Sequence, residues 1–148
     1  MEEVIARIRT AFADTPRPEE GDVFRSNMLP GDRIKAAVIF LERAREAITL
    51  DQVRYEGDLI FFMHPAAFVY FLPRLMELCM ASPREAIDLH DKLDFMFLAE
   101  RRTVDYAAGY YAELQGLLDD AKREAIKAFQ ATYFALYPGA GPAGPYWV

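Results

Sequence analysis

The sequence predicts an all-α fold, a single compact domain of five to six helices over residues 1–138, with a Gly/Pro-rich tail at 139–148. Two observations predict it. Apolar residues recur at three- and four-residue spacing along most of the chain, which places them on one face of a helix. Helix-entry signals, His64-Pro65 and Ser82-Pro83-Arg84-Glu85, stand ahead of the densest of these runs. Only Leu59–Met63 reads as a short extended segment, and it has no clear partner strand. At 148 residues the chain fits one domain and needs neither disulfide nor metal to bury a core. With 53% hydrophobic and 14% aromatic residues, it is too rich in both for a disordered chain.

A first helix is expected over Glu2–Ala13, with Val4, Ile5, Ile8 and Phe12 on one face and Glu2 and Glu3 at the positive end of its dipole. Pro16 and Pro18 stop it, and residues 14–31 read as a long loop. A second helix is expected over Asp32–Ile48, with Ile34, Ala37, Val38, Leu41 and Ile48 as its inner stripe. Thr49 and Gln52 form a capping-box pattern that starts a short helical turn over Leu50–Tyr55, ended by Gly57. The next helix enters at Pro65, the first-turn position where a missing N–H costs nothing, with His64 as the cap. Phe68, Phe71, Leu72, Leu75 and Cys79 share its face, and Val69, Tyr70 and Met76 fill its other sides. Such a helix is central and buried most of the way round. Pro73 is expected to bend it rather than end it, because the apolar spacing continues through Leu78 and Cys79.

Ser82-Pro83-Arg84-Glu85 predicts a helix from Pro83 to about Leu98, with Ile87, Leu93, Met96 and Phe97 inward. Val104–Leu118 reads as helix interrupted by Gly109 and Gly116. The last helix is expected from about Asp119 to Tyr137, with Ala125, Ile126, Phe129, Tyr133 and Leu136 buried. Pro138-Gly139 ends it, and the stretch to Val148 is too rich in Gly and Pro for regular structure.

Charge and cysteine use bound the function. Lys and Arg number 17 against 23 Asp and Glu, a formal charge of −6. An acidic chain without a basic block argues against nucleic acid or an anionic membrane as partner. The single cysteine, Cys79, cannot form an internal disulfide, and the opening MEEVIARIRTAF has no charged-then-apolar leader pattern. No apolar run approaches the ~20 residues that span a bilayer. The expected location is the cytoplasm.

Three segments resemble an uncharacterised bacterial protein family, a domain of unknown function. They are Ala11-Phe12-Ala13-Asp14-Thr15-Pro16-Arg17-Pro18, the stretch from Asp58 to Pro73 with Pro65, Phe68 and Tyr70-Phe71-Leu72-Pro73, and Ala125-Ile126-Lys127-Ala128-Phe129. The chain departs from that pattern at His64, where the family favours Thr. The resemblance implies a shared fold and carries no activity.

Few residues propose chemistry. The two histidines, His64 and His90, show no zinc-ligand spacing. His90 has Asp94 four residues on, an orienting carboxylate of the kind used in general-base catalysis. Ile87 and Leu93 flank it, which places it at the border of the apolar face, where a structural role is the commoner one. His64 has the structural role of helix entry, and Cys79 reads as a small buried hydrophobe. Asp119-Asp120 suits a helix start, with metal binding as the weaker reading. Tyr106, Tyr110 and Tyr111 form either an interface cluster or ordinary packing. Glu85, Asp88 and Asp91 recur at three-residue spacing and should lie on a solvated face. No nucleophile elbow, phosphate loop or dinucleotide fingerprint occurs.

No catalytic, cofactor-binding or metal residue is assigned, and no cofactor is expected. The leading expectation is a non-catalytic protein-interaction module of bacterial type, inhibitor-like or immunity-like toward a more basic protein. The alternative is an enzyme whose site is assembled from residues distant in sequence, with His90, Asp94 or Glu56 as acid–base candidates. A third is a self-associating structural module.

Overall fold

In the computed structural model, which describes residues 1–141 and 144–148, α4 (Pro65–Ala81) packs against α1 (Glu2–Ala11), α5 (Ile87–Phe97), α6 (Ala108–Leu117) and α7 (Asp120–Leu136). Two smaller elements, α2 (Pro30–Ala36) and α3 (Leu50–Val53), and several single 3-10 turns complete an all-helical domain. Strand pairing among the described residues is confined to the isolated bridges Phe24–Met63 and Leu98–Tyr146.

The centre of the fold is what the sequence predicts. Pro65 occupies the first turn of α4, and His64 is the extended residue before it. Phe68, Phe71, Leu72, Leu75 and Cys79 are buried, as are Val69, Tyr70 and Met76 on the other sides. The helix continues through Pro73 to Ala81. Proline has no N–H to offer the Val69 carbonyl. At the same turn Arg45 Nη1 donates to the Tyr70 carbonyl at 2.7 Å, and Arg74 Nε donates to the Ile48 carbonyl at 3.0 Å. These two arginines staple the 45–48 segment onto α4 beside the proline.

Several expectations are corrected. The helix expected over Asp32–Ile48 is α2 extended by a wide π-type turn, Ala37–Leu41, and it ends there. Its inner residues are Ala36, Ile39 and Phe40, whereas Ile34 is 70% and Val38 43% exposed. The large Phe40 ring sets the phase. It meets Phe71 edge-on at 5.1 Å and Phe24 at 5.8 Å, so the bigger apolar area goes inside. Residues 59–63 are not extended: Gly57–Phe62 is a 3-10 helix, burying Leu59 and Ile60, and only Met63 pairs with Phe24. Gly57 starts this element rather than merely ending α3, and a Cβ there would stand 2.8 Å from Cγ of Lys92 on α5. The capping box is present, with the Thr49 N–H donating to Gln52 Oε1 at 2.9 Å.

Helix α5 begins at Ile87, four residues later than its start signal. The Pro83 carbonyl, which an in-phase helix would offer to the Ile87 N–H, instead accepts the Tyr133 hydroxyl at 2.8 Å, and Ile87 bonds to Arg84. Helix α1 stops at Ala11, and α6 starts only at Ala108 but runs unbroken through Gly109 and Gly116. Leu136 in α7 is exposed rather than buried.

Past the 3-10 turn Pro138–Ala140 the described tail residues form no helix, as their composition predicts. Positions 142 and 143 lie outside the described residues, but residues 144–148 are anchored. Trp147 is only 7% exposed, and its indole N–H donates to the Met96 carbonyl at 3.0 Å. Backbone bonds Ala99 N to Pro145 O (2.8 Å) and Trp147 N to Phe97 O (2.9 Å) tie the tail to the end of α5. A large ring supplies the burial that glycine and proline cannot, so this segment is ordered against the domain without being a helix.

Candidate functional site

The acid–base candidates do not form a hydrogen-bonded set around the His90 ring among the described residues. His90 is 2% exposed, so it lies inside rather than at a border. Its ring stacks on Tyr133 at 3.6 Å and meets Phe134 and Phe129 at 5.4 and 5.9 Å, all on α7. Helix α5 is thus covered by α7 as well as by α4, and the face the sequence reads as a border is closed. Among the described residues neither His90 ring nitrogen has a hydrogen-bond partner, and the Asp91 carboxylate is 3.9 Å from Nδ1. Burial depresses the His90 pKa to about 4, so the imidazole is neutral near pH 7. Asp94 is buried on the same helix, while Glu56 faces Lys35 at 3.3 Å on the surface.

The other expected positions keep structural duties. His64 is exposed, and its backbone N–H donates to the Val23 carbonyl at 2.9 Å. Burial pushes the Cys79 thiol well above its ordinary range, which leaves it protonated and unreactive. Asp119 caps α7, accepting the Lys122 N–H at 2.9 Å and holding the same residue's ammonium at 2.9 Å. Glu85, Asp88 and Asp91 are exposed, as their spacing predicts.

The tyrosine cluster divides. Tyr111 is buried, Tyr110 is half-buried with its hydroxyl donating to the Met63 carbonyl at 3.0 Å, and Tyr106 is 86% exposed on the turn before α6. Together they line an open cleft of about 310 Å³ with Arg25, Arg101, Phe61 and Phe95. The Arg25 guanidinium lies over the Tyr110 ring at 5.2 Å and donates to the Phe61 carbonyl. The Arg101 guanidinium lies over Phe95 at 4.1 Å and beside Tyr111 at 6.0 Å. Burial works against the Arg101 charge, but the neighbouring Tyr111 and Tyr106 hydroxyls outweigh it, so its pKa is raised. No carboxylate stands among the described lining residues. Sequence reasoning misses the two arginines. Arg25 lies in a loop with no local signal, whereas the Arg101-Arg102 pair just before three tyrosines is a usable one.

Chemically, the cleft has charge, hydrogen-bond donors and ring faces, but neither a thiol nor an imidazole among its described lining residues. Among the described residues no group of three or more His, Cys, Asp or Glu is placed to hold a metal ion, and no helix is long and apolar enough to cross a membrane. Comparison of the chain with protein-family models, curated proteins and solved structures finds no match.

Proposed function

We propose that this chain is a non-catalytic protein-interaction module, inhibitor-like or immunity-like, acting in a bacterial cytoplasm. The observation that carries the reading is the open cleft walled by Arg25, Arg101 and the tyrosines. Arginine and tyrosine are the residues that concentrate binding energy at protein interfaces. The exposed carboxylates of Glu85, Asp88 and Asp91 supply a second charged face that suits a basic region of the same partner. The resemblance to an uncharacterised bacterial family brings no activity with it, so the reading rests on the cleft.

The alternative, an enzyme built on His90, Asp94 and Glu56, is weakened by the burial of His90 behind three rings of α7. Affinity capture from the source cell, with the parent protein and Tyr106→Ala as parallel baits, tests the proposal. Tyr106 is exposed, so its truncation leaves the fold intact. A stoichiometric protein partner held by the parent and lost from the variant is expected. A parent bait that retains no protein, or a partner held equally by both baits, overturns the proposal as it stands.

A further inference from the structure

We propose that the Arg25–Arg101 cleft takes an aromatic carboxylate, presented as the carboxyl-terminal aromatic residue of a partner chain. This inference rests on the reading of the protein as an interaction module and names what the module recognises.

Charge favours a carboxylate. The chain as a whole is acidic, at −6, yet two guanidiniums, one from the loop at Arg25 and one from the 3-10 turn Ala99–Thr103, line this cleft with no carboxylate among the described lining residues. A guanidinium fork matches a carboxylate through two parallel N–H···O bonds. The Nε–H groups of both Arg25 and Arg101 are buried and have no partner among the described residues.

Ring faces favour an aromatic group beside it. One face of each guanidinium already rests on a ring, Tyr110 for Arg25 and Phe95 for Arg101. Cation–π contact of this kind fixes the planar groups while leaving their edges to bind. Phe61 and Tyr111 add apolar wall beside them, so an incoming aromatic ring meets edges and faces at once.

Size bounds the ligand. About 310 Å³ lies at the small end of ligand cavities, which run from ~300 to ~1,000 Å³. That suits one ring with its carboxylate. Finally, Tyr106 stands 86% exposed at the rim. A lone small molecule in the cleft would leave it bare, whereas the residues preceding a chain terminus would lie across it.

The test is a titration of the full chain, monitored through the tyrosine ring resonances. The probes are N-acetyl-phenylalanine, its primary amide, acetate, phenyl phosphate and a pentapeptide ending in phenylalanine. Saturable shifts at Tyr106, Tyr110 and Tyr111 are expected with N-acetyl-phenylalanine and with the peptide, the peptide binding tighter. The amide and acetate should each bind more weakly by on the order of tenfold, the first lacking the charge and the second the ring. Arg101→Gln should lose the acid while keeping the parent melting temperature. If that variant unfolds, Tyr106→Ala is used instead and should weaken the peptide but not N-acetyl-phenylalanine.

No saturable shift below about 10 mM, equal binding of acid and amide, or preference for phenyl phosphate would each overturn the inference. A cleft that takes N-acetyl-phenylalanine but rejects the peptide would overturn the chain-terminus source and the interaction-module reading while keeping the aromatic carboxylate. A protein partner lost with Tyr106→Ala, alongside no response to either acid, would do the reverse.

Discussion

The imidazole of His90 lies flat on the phenol ring of Tyr133, with centroids 3.6 Å apart and planes 9° from parallel. Tyr133 in turn sends its hydroxyl to the Pro83 carbonyl at 2.8 Å, so one residue of α7 both covers the histidine and bonds to the turn that precedes α5. Burial of this pair should make the fold sensitive to acid.

Burial lowers the His90 pKa from 6.5 to about 4. Between those values the unfolded chain binds a proton that the native chain does not, so stability falls as pH drops through that window and is restored above about 6.5. The full shift corresponds to on the order of 3 kcal/mol. Denaturant melts at pH 7 and pH 4.5 should show the loss. His90→Phe, which keeps a ring against Tyr133, should lose less over the same interval; an identical pH dependence in that variant would assign the effect elsewhere. His90→Ala leaves a cavity and should cost about 3 kcal/mol at pH 7, close to the loss for other buried rings.

Phe71 lies at the centre of the core, edge-on to Phe40 at 5.1 Å and to Tyr70 at 4.9 Å. Phe71→Ala should cost about 3–5 kcal/mol. Against a total of about 5–15 kcal/mol, that leaves little folded protein at elevated temperature. Pro73→Ala should be milder, since the helix already runs through that position. Thermal melts of both variants decide the order, and a Phe71→Ala protein melting like its parent would displace the core from α4.

Trp147 is the only tryptophan in the chain, so its emission reports the docked tail without labelling. It packs on Phe97 at 5.6 Å and near Tyr111 at 6.5 Å. The native spectrum should be blue-shifted relative to the denatured one. Trp147→Ala should destabilise the protein by about 3–5 kcal/mol, as expected for a buried ring. A native spectrum already like that of free tryptophan would show the tail undocked in solution.

An element is legible in the sequence when the residues that determine it are local. Helix α4 can be read because its entry proline, its cap position and its dense apolar run are neighbours in the chain. The acidic face of α5 can be read for the same reason, since Glu85, Asp88 and Asp91 need only solvent. His90 cannot, because the rings that bury it belong to α7. The cleft cannot, because Arg25 reaches it from a loop and Arg101 from a distant 3-10 turn, and only Tyr106, Tyr110 and Tyr111 announce themselves. At the tail, glycine and proline rightly count against a helix but say nothing of docking, which one indole with a buried acceptor supplies.

The phase of α2 offers the sharpest comparison between sequence and fold. Apolar spacing alone puts Ile34 and Val38 inside, yet both are exposed and Phe40 is buried. The buried Ala36, Ile39 and Phe40 and the exposed Ile34 and Val38 each keep ordinary helical spacing, so the Phe40 ring decides which face turns inward, and the π-type turn at Ala37–Leu41, with the Glu42 N–H reaching the Ala37 carbonyl at 3.2 Å, ends the helix. The two registers give opposite mutational outcomes. With the face as observed, Ile34→Ser and Val38→Ser should each change stability by no more than about 0.5 kcal/mol, the ordinary range for surface positions. Phe40→Ala should cost about 3–5 kcal/mol, because it removes the ring that fills the space between Phe24 and Phe71. Urea midpoints of the three variants read the difference directly. A costly Ile34→Ser beside a tolerated Phe40→Ala would restore the inner face that apolar spacing alone predicts, and would remove the Phe40 ring as what sets the phase.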